Sequence, residues 1–295
     1  MKRQKFLMLA AAALLASCSQ DDALQSTVLN NEGLKPMTIT ASLPTGGMQT
    51  RAAGDADAAR CYMQILDKDG NPLADGNSEP IEMDSNGSSF TTLVYLNGSE
   101  TYDFLFWADT EATDAAAPAD LRAVEYTNGK TIAWAGKIDN RPWTADDIEI
   151  GLNHVVSRVT VTTTSDFPVE GDYFLTVNVL TVYNKYNVAE MKVVKGMTDT
   201  DGYTFKAANR NYNSDDEVGH FYVLGDGNNQ SLKLWYYGPK KNPEILITDV
   251  PVSANTHITL KGDIYNAGMV EGNIKATTNT GWNTPEEGDI DIDKY

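Results

Sequence analysis

Asn-Gly and Asp-Gly dipeptides recur along this chain, at Asp69-Gly70, Asn86-Gly87, Asn97-Gly98, Asn128-Gly129, Asp201-Gly202 and Asp226-Gly227. Such pairs reach the positive φ values that two-residue hairpins need. The segments between them are rich in β-branched and aromatic residues, as in 38–43, 102–107, 155–164, 173–183, 221–224, 232–237, 244–250 and 257–265. Alternation with period two is clearest late in the chain. There Ile258, Leu260 and Ile264 share one face, and Thr259, Lys261 and Asp263 share the other. Helical signal is confined to the alanine-rich stretch 112–124, which Pro118 breaks, leaving room for a short surface helix at most. Many short strands with regular turn signals predict an all-β chain of sandwiches.

A chain of 295 residues suits about two domains. The break is expected near Ser165-Asp166-Phe167-Pro168, where a Thr-rich strand gives way to a polar, proline-containing segment. The expected domains are therefore 37–166 and 167–295.

The N-terminus reads as an address. Lys2, Arg3 and Lys5 precede the apolar run 6–16, too short to cross a bilayer and built like a secretory signal. The run ends Leu15-Ala16-Ser17-Cys18, which is similar to the lipobox of bacterial lipoproteins. The expectation is a signal peptide 1–17, lipidation at Cys18 and a polar tether 18–36. Ser19-Gln20-Asp21-Asp22 resembles the acidic tetrapeptide that directs lipoproteins of Bacteroidota to the outer face of the outer membrane, and reads equally as solvated tether.

With 23 Lys+Arg against 41 Asp+Glu, the net charge is −18. No basic patch is available for phosphate, so nucleic acid is not an expected partner. Such a surface also repels anionic membranes, so lipid and not charge would hold it there. Two cysteines and three histidines argue against a disulfide scaffold or a zinc module.

A search for chemistry ends without a catalytic, cofactor-binding or metal-ligating residue. His154, His220 and His257 sit in or beside strand-like runs, away from any nucleophile elbow, and read as hydrogen-bonded structural histidines. Asp67-Lys68-Asp69-Gly70-Asn71 faintly resembles a calcium loop, but its glycine comes early and Ser78 stands where the last ligand should be. A hairpin turn is the better reading. Acidic pairs such as Asp146-Asp147, Asp215-Asp216 and Glu286-Glu287, and the alternating Asp289, Asp291 and Asp293, read as solvated. Trp134, Trp143 and Trp235 could stack on sugars, with core packing favoured, and Cys61 reads as a small buried hydrophobe.

Several segments together resemble the fimbrillin family, the type V pilins of Bacteroidales and their lipoprotein relatives. Met37-Thr38-Ile39-Thr40-Ala41-Ser42-Leu43, followed by Gln49-Thr50-Arg51-Ala52, is similar to that family's first strand and its Arg-Ala processing site. Leu152-Asn153-His154-Val155-Val156-Ser157-Arg158-Val159-Thr160-Val161 is similar to a strand near the end of its first domain. Val182-Tyr183-Asn184, the run 255–265 and Gly281-Trp282-Asn283 are similar to stretches of its second.

The resemblance implies two tandem transthyretin-like β-sandwich domains in a structural protein that is not an enzyme and needs no cofactor. It implies export as a lipoprotein to the outer membrane and cell surface, then assembly into an adhesive fimbria. An arginine-specific protease would cut between Arg51 and Ala52, removing the lipid and the first strand. Unpaired backbone groups and an apolar groove would then accept a strand from another copy or a related pilin subunit. The donor would come from 269–276 with the tail 288–295, where Val270, Ile274 and Ala276 alternate as a groove-filling strand should. Arg51 reads equally as an exposed loop arginine, and the donor segment as an ordinary last strand. Two other roles fit the same chain: an anchor or tip accessory subunit, or a monomeric glycan-binding surface lipoprotein.

Overall fold

The computed structural model describes residues 34–44, 58–73, 78–98, 100–112, 115–126, 129–143, 147–166, 174–179, 183–195, 203–205, 211–237, 244–263 and 274–280. The first half supplies β1 (Leu34–Ser42), β2 (Arg60–Leu66), β3 (Ile81–Glu82), β4 (Asp84–Asn86), β5 (Ser89–Asn97), β6 (Thr101–Asp109), β7 (Val124–Glu125), β8 (Ala133–Pro142), β9 (Ile148–Gly151) and β10 (Asn153–His154). The second supplies β11 (Val156–Thr163), β12 (Phe174–Val179), β13 (Tyr183–Asn187), β14 (Lys192–Lys195), β15 (Tyr203–Phe205), β16 (Glu217–Leu224), β17 (Asp226–Tyr237), β18 (Glu244–Ser253), β19 (Thr256–Gly262) and β20 (Ile274–Thr280). The all-β expectation holds. Among the described residues the helical signal of 112–124 reduces to one 3-10 turn, Leu121–Ala123, capped by the Asp120 carboxylate on the Arg122 amide.

Residues 34–154 build two sheets, ordered β4-β5-β1-β9 and β10-β8-β6-β2-β3. Their facing surfaces share one buried cluster, with Met37, Ile39 and Ala41 from β1, Phe90 and Val94 from β5, Met63 and Ile65 from β2, and Phe104 and Phe106 from β6. Period-two alternation explains this side choice. The second sheet is buried on its other face as well. There Trp107 meets Tyr186 of β13 at 5.8 Å between ring centroids, and Gln64 accepts the Leu121 amide at 2.8 Å. The cover is the 3-10 turn and a third sheet, β14-β13-β7. This is why β2 is buried at every position although Arg60, Tyr62 and Gln64 alternate with its apolar residues.

Residues 156–280 build two further sheets, β16-β11-β19-β20 and β15-β12-β17-β18. Val159, Val161, Phe221, Val223, Ile258 and Leu260 point inward from the former and are buried. An expected boundary at 166/167 assigns β11 to the first domain, but its hydrogen bonds run to β16 and β19. The two halves meet through β7 pairing with β13, and through the Tyr126 hydroxyl donating to the Tyr222 carbonyl at 3.1 Å.

Two of the expected turns carry their glycine at positive φ, Gly70 at 78° and Gly87 at 70°. Asp226-Gly227 does not make a hairpin. Gly227, at φ 83°, sits within β17, where the register against β18 slips between Asp226 and Asn229. A positive φ serves a bulge as well as a turn.

Candidate functional site

The site with the most unusual construction is the place that β1 occupies. Its sequence alternates inward Met37, Ile39, Ala41 and Leu43, all at most 2% exposed, with half-buried Thr38, Thr40 and Ser42. The strand is internal to its sheet. It runs antiparallel to β5 along its whole length, from Leu34↔Asn97 to Ser42↔Ser89. On its other flank it runs parallel to β9, from Ile39↔Ile148 to Ser42↔Gly151. Ala41 lies between Phe90 and Ile150 in register, so a small side chain stands between two large ones. Burying Met37, Ile39 and Leu43 contributes roughly 1.5–3 kcal/mol each. A chain without β1 would expose that surface as an apolar slot, with unpaired backbone along both walls.

The second half repeats the arrangement. β11, its first strand, is antiparallel to β16 on one side and parallel to β19 on the other. β20 closes that sheet antiparallel to β19, with Ile274 opposite Gly262 and Ala276 opposite Leu260. Cys18, Arg51, Ala52 and Val270 lie outside the described residues, as does the tail beyond Thr280.

The side chain of Trp235 lies outside the described residues, and the other candidates below take structural roles. Trp134 and Trp143 are 3% and 2% exposed, so neither offers a face to a sugar. His154 is buried with its ring 5.1 Å from that of Trp134. His257 Nε2 lies 2.8 Å from Thr160 Oγ1. Asp67 Oδ1 accepts the amides of Asn71 and Asp69 at 2.9 Å each, which ties the loop to its own backbone as a turn and pulls the carboxyl below its usual range. The Cys61 thiol is buried beside the Met83 sulfur at 3.7 Å, and burial pushes its pKa well up. Among the described residues, no group of three or more His, Cys, Asp or Glu is arranged to hold a metal ion.

Two polar clusters escaped the sequence reading. Under the stretch 115–119 lies a cavity of about 460 Å³, into which Arg60, Asp109, Glu111, Asp120 and Glu125 project. Its acids are engaged: Asp109 by Arg60, Asp120 by Arg122, Glu111 by the Thr131 hydroxyl and Glu125 by Lys185. The second cluster centres on Glu217, which meets His220 Nδ1 at 2.5 Å and the buried Arg158 at 3.2 Å. The His220 hydrogen bond, with the charges of Arg158 and His257, holds the Glu217 carboxyl below its ordinary 4.5. A depressed carboxyl stabilises the fold above its unfolded value, and that stability is lost as pH falls through the folded value. Glu217→Gln is therefore expected to flatten the loss of stability below pH 4.5. Urea midpoints of both proteins at about pH 7 and about pH 4 test this. Parallel losses in the two proteins would remove the linkage.

No family model matches the chain, and no curated protein matches it in sequence. Solved structures do. A proposed cell adhesion protein from Bacteroides uniformis superposes with a TM-score of 0.52 at 11% identity, over 85% of this chain and 98% of that one. A second, from Bacteroides ovatus, gives 0.50 at 11% identity, over 83% and 96%. The C-terminally truncated tip fimbrial protein Mfa3 of Porphyromonas gingivalis gives 0.45 at 11% identity, over 83% and 100%. The first two likenesses show a shared fold. Those two neighbours are described as cell adhesion proteins of Bacteroides species.

Proposed function

We propose that this chain is a structural, non-enzymatic subunit of a cell-surface fimbria that supports adhesion. It is exported as a lipoprotein through Cys18 to the outer membrane and assembles by strand exchange. The observation that carries the reading is the internal place of β1, whose loss would leave a slot walled by β5 and β9. Arg51-Ala52 follows β1 and precedes β2 in sequence, so one cut there would separate the strand from the body it completes. The shared fold with proposed adhesion proteins supports the same role. The donor would be the segment of Val270, Ile274 and Ala276 from another copy or a related subunit. We place the division between the two sandwich units at Val155, since β10 pairs with β8 and β11 with β16 and β19.

Intact mass and terminal sequencing of the protein sheared from cells test the reading. A chain starting at Ala52 in high-molecular-weight fibres is expected. An acylated Cys18 confined to the membrane fraction would overturn assembly by strand exchange in favour of an anchor.

A further inference from the structure

The sheet β10-β8-β6-β2-β3 is covered on its outer side, whereas β4-β5-β1-β9 faces solvent there: Leu93 and Tyr95 of β5 are 45% and 47% exposed. In register, Pro36 stands opposite Tyr95 and Leu34 opposite Asn97, so two more apolar side chains extend the strip along β1. Both are exposed. Among the described residues, three of the four large hydrophobics that stand out into solvent share this face, the fourth being Val194. Single exposed apolar residues are ordinary, but a contiguous strip of them marks a contact.

The strip is uncharged and fringed with neutral polar groups. Thr38, Thr40 and Thr91 continue the outward positions of the two strands, and Asn97 supplies an amide at the other end. Such groups both donate and accept. Charge begins at the flanks, where Asp84 of β4 lies beside Thr91, and Glu149 of β9 beside Thr40. These two acids are exposed, as is Asp147 just before β9. Lys35 alternates away from this face, with its stem over Gly98.

These features select the occupant. The chain carries a net charge of −18. A second copy would bring acidic rims together, and an anionic lipid surface or acidic polysaccharide would be repelled. The face is also small. At about 3.3 Å per residue and 4.8 Å between strands, its four strands cover about 400 Å². That is about half of what each partner buries in a standard protein interface. A sheet face does not enclose a small molecule, whose sites are concave. An uncharged polymer lying along about 30 Å of strand meets every condition. A pyranose ring has an apolar C–H face rimmed by hydroxyls, the counterpart of an apolar strip rimmed by hydroxyls, an amide and carboxylate acceptors.

We propose that the outer face of β5 and β1 binds a neutral glycan chain laid along the strands, with one sugar ring stacked on Tyr95 and its neighbours against Leu93 and Pro36. Tyr95 and Leu93 belong to β5, so their contacts persist whichever strand fills the β1 position, and the inference stands apart from strand exchange.

An array of cellohexaose, xylohexaose, mannohexaose and maltohexaose, probed with the uncut full chain, tests this. At least one is expected to bind, while polygalacturonate does not. Tyr95→Thr puts a strand-forming residue at an exposed position, so its urea midpoint should match the parent. It is expected to weaken binding about tenfold. Val194→Thr, on β14, is expected to leave binding unchanged. No binding to any of the four, undiminished binding by Tyr95→Thr, or an equal loss in Val194→Thr overturns the proposal. So does Tyr95-dependent retention on immobilised polylysine with no hexasaccharide bound, which assigns the face to a basic protein. The fimbrial reading is decided separately, by the residue at which the sheared chain begins.

Discussion

Asp109→Ala is expected to cost about 3–5 kcal/mol of folding stability, the range for stripping one partner from a buried ion pair. Asp109 and Arg60 are 3% and 5% exposed, and the carboxylate takes the Arg60 Nε at 2.7 Å and Nη2 at 3.3 Å. The same carboxylate accepts the Trp107 indole N–H at 2.7 Å. Removing it leaves a guanidinium and an indole donor without their acceptor at a site that is largely buried. The rest of Arg60 is already committed: Nη1 donates to the carbonyls of Ala115 and Ala116 at 2.9 and 3.2 Å, and its guanidinium carbon lies 5.4 Å from the Tyr62 ring centroid. The loss should therefore loosen the 115–119 stretch first. Replacing both members, as in Arg60→Met with Asp109→Leu, should recover most of the stability, because no charge is then stranded. Urea unfolding followed by tryptophan fluorescence measures all three. A double variant no more stable than the single one would show that the pair itself, not the stranded charge, carries the energy.

Gly225→Ala is expected to cost about 3 kcal/mol, at the upper end for forcing an extra methyl group into a packed site. Gly225 joins β16 to β17 as the chain steps from one sheet to the other. A Cβ there would stand 2.1 Å from the Val252 carbonyl oxygen and 2.5 Å from its carbon. The obstacle is the backbone of β18, not the end of a flexible side chain, and Val250 and Val252 are fully buried. Relief requires moving a strand. Gly151→Ala is the matched control: nothing lies within 4 Å of its Cβ, so its effect should stay within about 0.5 kcal/mol. The midpoint of denaturant unfolding distinguishes them, and equal shifts for the two would refute the steric account.

The individual strands were legible because their period is local. Met37 to Leu43, Val156 to Thr163 and Thr256 to Gly262 each announce a buried face within a few residues. What they pair with is not local. No pattern in 38–43 says that β9 will lie parallel beside it, since a parallel neighbour needs no turn to signal it. Arg60, Tyr62 and Gln64 alternate with apolar residues, and are covered by a segment that arrives from elsewhere in the chain. The Arg60–Asp109–Trp107 cluster was hidden for the same reason. Asp226-Gly227 was misread because a bulge and a hairpin ask the same φ of their glycine. Trp143 was read as packing or a sugar platform; its hydrogen bond to Lys35 bridges residues far apart in sequence.

The internal position of β1 also governs how it responds to force. A strand on the rim of a sheet can be peeled, one hydrogen bond failing after another, each at little load. β1 is gripped on two sides, so tension along its axis loads both rows of bonds in shear, and they must yield together. The lifetime of the slot's occupant under pulling is then set by the barrier to that concerted slip and not by its equilibrium affinity. A fibre built from such joints would hold through brief strong tugs that exceed what any one of its contacts could bear.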